Sequence, residues 1–224
     1  MSTLTEQGTQ SIIKFSGSID SGEAISVEYK CLHGANPKTL GYFLAIWQGT
    51  VIDDLSKALE IQNINTTDKD GSTTFEGLTI STLDYIVGFG VNNENGHSIC
   101  ATLAVPADAE QGQELEATLS TLTLVKHGSN NLNVAFSTPA YNLAKSNKNW
   151  IALFEGPLTG NMYKGTNVIK TAPVTIDQNQ GITAMNDIPG GLKKFSTYTV
   201  VYGMGLKEDK IDYSNMISAY TFKI

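Results

Sequence analysis

The chain repeats itself, and that constrains its fold more than any other feature. "YFLAIWQG" (residues 42–49) returns as "NWIALFEG" (149–156), setting Phe43 on Trp150, Ala45 on Ala152, Trp47 on Phe154 and Gly49 on Gly156 at an offset of 107. "GLTISTLDYIVGFG" (77–90) returns as "GLKKFSTYTVVYGMG" (191–205), setting Tyr85 on Tyr198, Val87 on Val200, Phe89 on Tyr202 and Gly90 on Gly203 at an offset of 113. The six extra residues of the second copy lie between the two strings, in a loop or short edge strand, where lengthening costs little closure entropy. Two copies are too few for a solenoid. They predict tandem units joined through the polar string "VPADAEQGQELE" (105–116), with units at 1–106 and 116–224 and a linker at 107–115.

Within each copy the apolar period is two. β-Branched and aromatic residues fill short runs broken by Gly, Asn, Asp and Pro. The first half offers "SIIKF", "AISVEYKCL", "YFLAIW", "STTFEGL", "YIVGFGV" and "SICATLAV"; the second offers "ATLSTLTLV", "NLNVAF", "NWIALF", "GITAM", "YTVVYGM" and "MISAYTFKI". So many short strands must bury one face against a second sheet, which predicts an all-β chain of two tandem β-sandwiches. "IDDLSKALEIQ" (52–62) reads as a turn of helix or an irregular crossover. Units of about 110 residues bury roughly two-thirds of their unfolded surface and need no covalent staples.

The string from Leu192 to Tyr198, six residues apart, resembles the stretch of fibronectin type III and other immunoglobulin-like domains that leads from a buried leucine to the tyrosine opening strand F. Leu78 and Tyr85 are seven apart, so the first copy carries one extra residue there. "VNNENGHSICATLAV" (91–105) similarly resembles a type III F–G hairpin. The resemblance covers strands C to G of both halves. It implies a tyrosine corner in each, the ring buried and the hydroxyl bonded to nearby backbone. It also puts Cys31 on strand B and Cys100 on strand G, which departs from the B–F bridge of antibody domains. Both cysteines sit in apolar runs, which favours buried free thiols over a bridge.

Strand C is apolar on both faces. Phe43, Ala45 and Trp47 share one face and Leu44 and Ile46 the other; Trp150, Ala152 and Phe154 are likewise set against Ile151 and Leu153. A strand with one wet face alternates with polar residues. Either this is the β-propensity of a central strand beside exposed glycines such as Gly90 and Gly203, or Leu44, Ile46, Ile151 and Leu153 form an outward face that meets the sister unit or a second copy of the chain.

Charge narrows the partners. The formal net charge is -7, and all 15 cationic residues are lysines. Without arginine the planar fork that reads phosphate and guanine is missing, and Lys193–Lys194 is the only adjacent basic pair. No nucleic-acid partner is expected. No run approaches the roughly 20 apolar residues of a membrane span. The N-terminus lacks the basic start and apolar stretch of a secretory leader, so a cytoplasmic location is expected, with non-classical export as the alternative.

The sequence offers no catalytic constellation. It has three histidines, His33, His97 and His127, and lacks G-x-S-x-G, H-E-x-x-H, a phosphate loop and C-x-x-C. No enzyme, cofactor or metal is expected. Asp68, Asp70 and Gly71 open like a calcium loop, but position 12 is Thr79 where a bidentate Glu is needed, so "TTDKDGSTT" (66–74) reads as a turn. Asn65 in "NTT" is a formal glycosylation acceptor with no leader to make it meaningful. In an immunoglobulin-like unit the B–C, D–E and F–G loops gather at one end. His33, Asn36, Asp68, Asp70, Asn93, Glu94, Asn95 and His97 would then form a polar ligand-binding end suited to a glycan or a polypeptide. The expected function is non-enzymatic recognition or adhesion; the alternative is a self-associating structural protein, such as a toxin or inclusion component, that forms a homo-oligomer.

Overall fold

The structure is a computed structural model, and it describes residues 8–52, 54–92 and 98–224. The described residues are all-β, with short antiparallel strands and only single turns of helix. The strands of the first half are β1 (Thr9–Ile12), β2 (Lys14–Ser21), β3 (Ala24–Lys30), β4 (Tyr42–Gln48), β5 (Glu60–Asn63), β6 (Asp70–Phe75), β7 (Tyr85–Val91) and β8 (Ile99–Val105). Mid-chain come β9 (Glu114–Leu115) and β10 (Ala117–Leu119). The second half holds β11 (Thr121–His127), β12 (Leu132–Ser137), β13 (Trp150–Glu155), β14 (Val168–Pro173), β15 (Gln180–Met185) and β16 (Thr197–Gly203). It ends in β17 (Leu206–Lys207), β18 (Lys210–Ile211) and β19 (Met216–Lys223). The expected runs all fall on strands. The stretch 52–62 becomes a 3₁₀ turn, Leu55–Lys57, whose first residues are capped by the Asp54 side chain, followed by β5.

The pairing pattern recurs with the sequence repeat. One sheet of the first half runs β6-β3-β2-β9 and faces a second that runs β10-β8-β7-β4-β5. In the second half β11-β12-β15 faces β1-β19-β16-β13-β14. Each pair of sheets packs in the manner of a β-sandwich. Phe15 of β2 meets Phe89 of β7 edge-on at 6.0 Å, and Phe136 of β12 stacks on Tyr202 of β16 at 5.3 Å. Such pairs add about 0.5–1.5 kcal/mol beyond their buried area. Strands β2 and β3 alternate buried and exposed residues, as strands with one wet face must, whereas β4, β7, β13 and β16 are buried on both faces.

The edges hold an exchange. β1, at the start of the first half, pairs with β19 of the second, with Gln10 opposite Tyr220. β10, at the start of the second half, pairs with β8 of the first, with Ala117 opposite Leu103. Gln10 and Ala117 are repeat equivalents at the offset of 107, and Leu103 and Tyr220 each lie two residues before the partner of the corner tyrosine. The two opening strands are thus swapped between halves in the same register. The segment 107–115, expected as a linker, carries β9, which pairs with β2.

The expectation for strand C needs correction. Leu44 and Ile46 stand opposite Phe89 and Val87, and Ile151 and Leu153 opposite Tyr202 and Val200, on the faces turned toward the other sheet. All four are buried in the main core and offer no outward surface. The outward face is the aromatic one. Phe43, Ala45 and Trp47 form a separate cluster with Ile52, Ile86 and Ile99, against which Leu55, Ala58 and Tyr141 of the second half pack. Tyr213 covers the equivalent face in the second half, its ring edge-on to Trp150 at 5.6 Å and to Phe154 at 5.8 Å. Both faces are apolar because one lines the core and the other is roofed by loops and, in the first copy, by the other half.

Further contacts tie the halves. The Tyr42 hydroxyl donates to Ser214 O at 3.2 Å, and the Tyr141 hydroxyl to Ile99 O at 3.2 Å. Gly34 (φ +81) lies against Gly160, so close that a Cβ on Gly34 would strike the Gly160 backbone. Buried residues from both halves join into one connected apolar cluster.

Candidate functional site

Four members of the predicted binding end, His33, Asn36, Asp68 and Asp70, lie among the described residues, and they sit in separate local settings. Asn36 is spent as the cap of the single helical turn Pro37–Leu40, its Oδ1 accepting from Thr39 N at 3.2 Å. Asp68 sits in a tight turn, where its N–H donates to Thr66 Oγ1 at 3.1 Å. Asp70 opens β6 and lines a shallow hollow with Lys14, Glu28, Tyr29 and Lys30. His33 is exposed and lines a different hollow, beside β1 and Lys69. Asn93, Glu94, Asn95 and His97 lie outside the described residues. Among the described residues no group of three or more His, Cys, Asp or Glu stands close enough to hold a metal ion.

A better-formed cavity, of about 370 Å³, lies where the halves meet. Asn92, just after β7, and Ser98, just before β8, form one wall. The second half supplies Ser146–Lys148 before β13, and Met204, Gly205, Leu206, Glu208 and Asp209 after β16. Both of these segments follow from local backbone chemistry. The loop before β13 is wound by Asn147 N donating to Leu143 O at 2.9 Å and Lys148 N to Lys145 O at 2.9 Å. Asp177 anchors it, accepting from Ser146 N and Oγ, each at 2.9 Å, and these bonds hold its carboxyl below the usual range. The second segment is the β17–β18 hairpin, a two-residue turn with Glu208 and Asp209 both at positive φ (49 and 59).

Asn92 (φ 129) and Lys148 (φ 53) also adopt positive φ, so four non-glycine residues in this uncommon region line one cavity. Backbone in sparsely populated regions concentrates where surrounding structure has a reason to hold it. At the rim Lys148 Nζ meets Asp209 Oδ1 at 2.8 Å, which draws the Asp209 carboxyl down. Beyond this pair lies a second, more apolar hollow of about 410 Å³, between Trp150, Val174 and Ile211.

Beneath the cavity runs a buried amide network. Asn149 Nδ2 donates to Asn142 Oδ1 at 2.7 Å and to the Tyr202 hydroxyl at 3.0 Å, while its Oδ1 accepts from Gly205 N at 3.3 Å. Asn215 Nδ2 donates to Met204 O at 3.0 Å. Burial drives the Tyr202 phenol well above its ordinary pKa. Satisfied networks of this kind fix loop positions, since breaking one strands a buried polar group. Asn147 Nδ2 is the exception: it is buried, with no hydrogen-bond partner among the described residues. Such a donor costs about 1–3 kcal/mol unless something accepts from it.

Glu208 and Asp209 lie in a polar loop, but nothing local indicated that Ser146–Lys148 would meet the first half's Asn92. No family model matches the chain, and no curated protein matches it.

Proposed function

We propose that the chain is a non-enzymatic recognition protein, built of two fibronectin type III-like sandwich modules, that binds a glycan in the cleft between its halves. The observation that carries this reading is the cleft itself: neutral amides and hydroxyls (Asn92, Ser98, Ser146, Asn147) over a floor that includes Met204 and Leu206. Sugar rings present alternating hydroxyls and C–H faces, and such a lining answers both. The Lys148–Asp209 pair bridges two loops at the rim.

A glycan array probed with the full chain, followed by calorimetry on any hit, tests this. Asn147→Ala and Glu208→Ala are expected to weaken binding at least tenfold, and His33→Ala to leave it unchanged. Loss confined to the His33 variant would move the site to the loop end, and silence across the array would remove the glycan reading.

A further inference from the structure

β1 is joined to β2 through one residue, Ile13, yet the two strands lie in sheets of different halves. The β1–β19 ladder is therefore native pairing between one repeat and the other. Any copy of the chain presents the same β19 edge. We propose that β1 is an exchangeable strand through which copies of this chain link, β1 of one copy pairing with β19 of another.

Three observations support exchange. β1 is lightly held: Thr9 and Gln10 are exposed, Ser11 and Ile12 half-buried, and among the described residues its side-chain ties include Gln10 Nε2 to Leu122 O at 3.1 Å and Ser218 Oγ to Ser11 O at 3.4 Å. Its departure would bare the eight-residue β19, with β16 on its other side, and an unpaired edge is a template for another strand. The edge is also shaped for this chain's own segment. Gly8 lies against the Tyr220 ring, where a Cβ would collide, and in the observed register the Gln10 amide reaches Leu122 O. The β19 edge of a second copy offers the same Tyr220 ring and the same Leu122 carbonyl. Reciprocal exchange closes a dimer, and one-way exchange runs on into a chain of copies.

Mass action sets the conditions. A tethered strand competes at an effective concentration on the order of millimolar, so the closed monomer prevails in dilute solution. Links form when chains fold at comparable concentration, and on dilution the released strands close again on their own copy. This inference rests on register and stands apart from the glycan reading.

The test is to unfold the full chain in denaturant, refold it at about 1 mM and at about 1 µM, and size each sample by light scattering at its refolding concentration. Dimers and larger species are expected from the first and monomer from the second. Thr9→Cys with Thr221→Cys, at directly paired positions, locks β1 in place when oxidised in the dilute monomer. The locked protein should stay monomeric at both concentrations and, once reduced, behave like the wild type. Monomer alone from the concentrated wild-type refolding overturns the proposal, as does a ladder of species from the locked protein. The wild-type arm needs no substitution, so a variant that fails to fold leaves the test intact.

Discussion

Trp150 lies across the bare α-carbon of Gly203, its directly paired neighbour, so that a Cβ on Gly203 would fall inside the indole. The first half repeats the arrangement with the Phe43 ring over Gly90. The outer aromatic face of each sheet thus lies flat because its neighbour strand has glycine there. Gly203→Ala is expected to destabilise by about 1–3 kcal/mol, the usual cost of overpacking. Chemical denaturation reads this directly, and an unchanged midpoint would mean that the indole can move aside.

The corner tyrosines make a matched pair. Tyr85 Oη accepts from Thr79 N at 2.8 Å and Tyr198 Oη from Lys193 N at 2.8 Å, with both rings buried. Tyr85→Phe and Tyr198→Phe each strand an N–H and should each cost about 1–2 kcal/mol. Similar losses in both would support equivalent roles. A neutral result at either would show that water replaces the phenol.

Those tyrosines were legible in the sequence because a corner is local: a leucine, a short spacing and an aromatic opening an apolar run. Strand positions were legible for the same reason. The orientation of strand C was not, since Leu44 and Ile46 are as apolar as Phe43 and Trp47 and the period alone cannot say which face is roofed. The glycines opposite Phe43 and Trp150 held that information, because a ring needs space beside it. The exchange of β1 and β10 left no local trace. Both strands carry the pattern of one repeat position, and either acceptor edge satisfies it. The cleft was hidden for a related reason: its walls come from opposite halves, and their approach depends on packing such as Tyr141 on Ile99.

Phe195 is 85% exposed and held at φ 65, with its N–H donating to Ile224 O at 2.6 Å. A bulky residue in the left-handed region costs about 1–2 kcal/mol, and here no burial offsets it. Phe195→Gly keeps the backbone bond, relieves the strain and, after the unfolded-state entropy of glycine, should raise stability by up to about 1 kcal/mol. A fall in melting temperature would instead reveal a contact made by the ring.

Both cysteines are free and buried. Burial, with the Asp70 carboxylate adding to it, pushes the Cys31 thiol up to about 12, and burial raises the Cys100 thiol well above its ordinary value. Neither should react with a thiol reagent at pH 8 until the chain unfolds. Between the unfolded thiol pKa near 9 and the folded value, the unfolded state has lost a proton that the native state retains. Stability should therefore be intact below about pH 9 and fall above it, by about 1.4 kcal/mol per pH unit for each such thiol. Denaturation midpoints from pH 8 to 11 check this, and a flat profile would contradict it.

The strand exchange is tested most directly by disulfide trapping in the dilute monomer. Thr9 is paired with Thr221, whereas an unexchanged first strand would put it beside Ala104, the repeat equivalent of Thr221. Thr9→Cys with Thr221→Cys should close an intramolecular bridge, and Thr9→Cys with Ala104→Cys should remain reduced. Closure of the second pair and not the first would show that each half keeps its own opening strand.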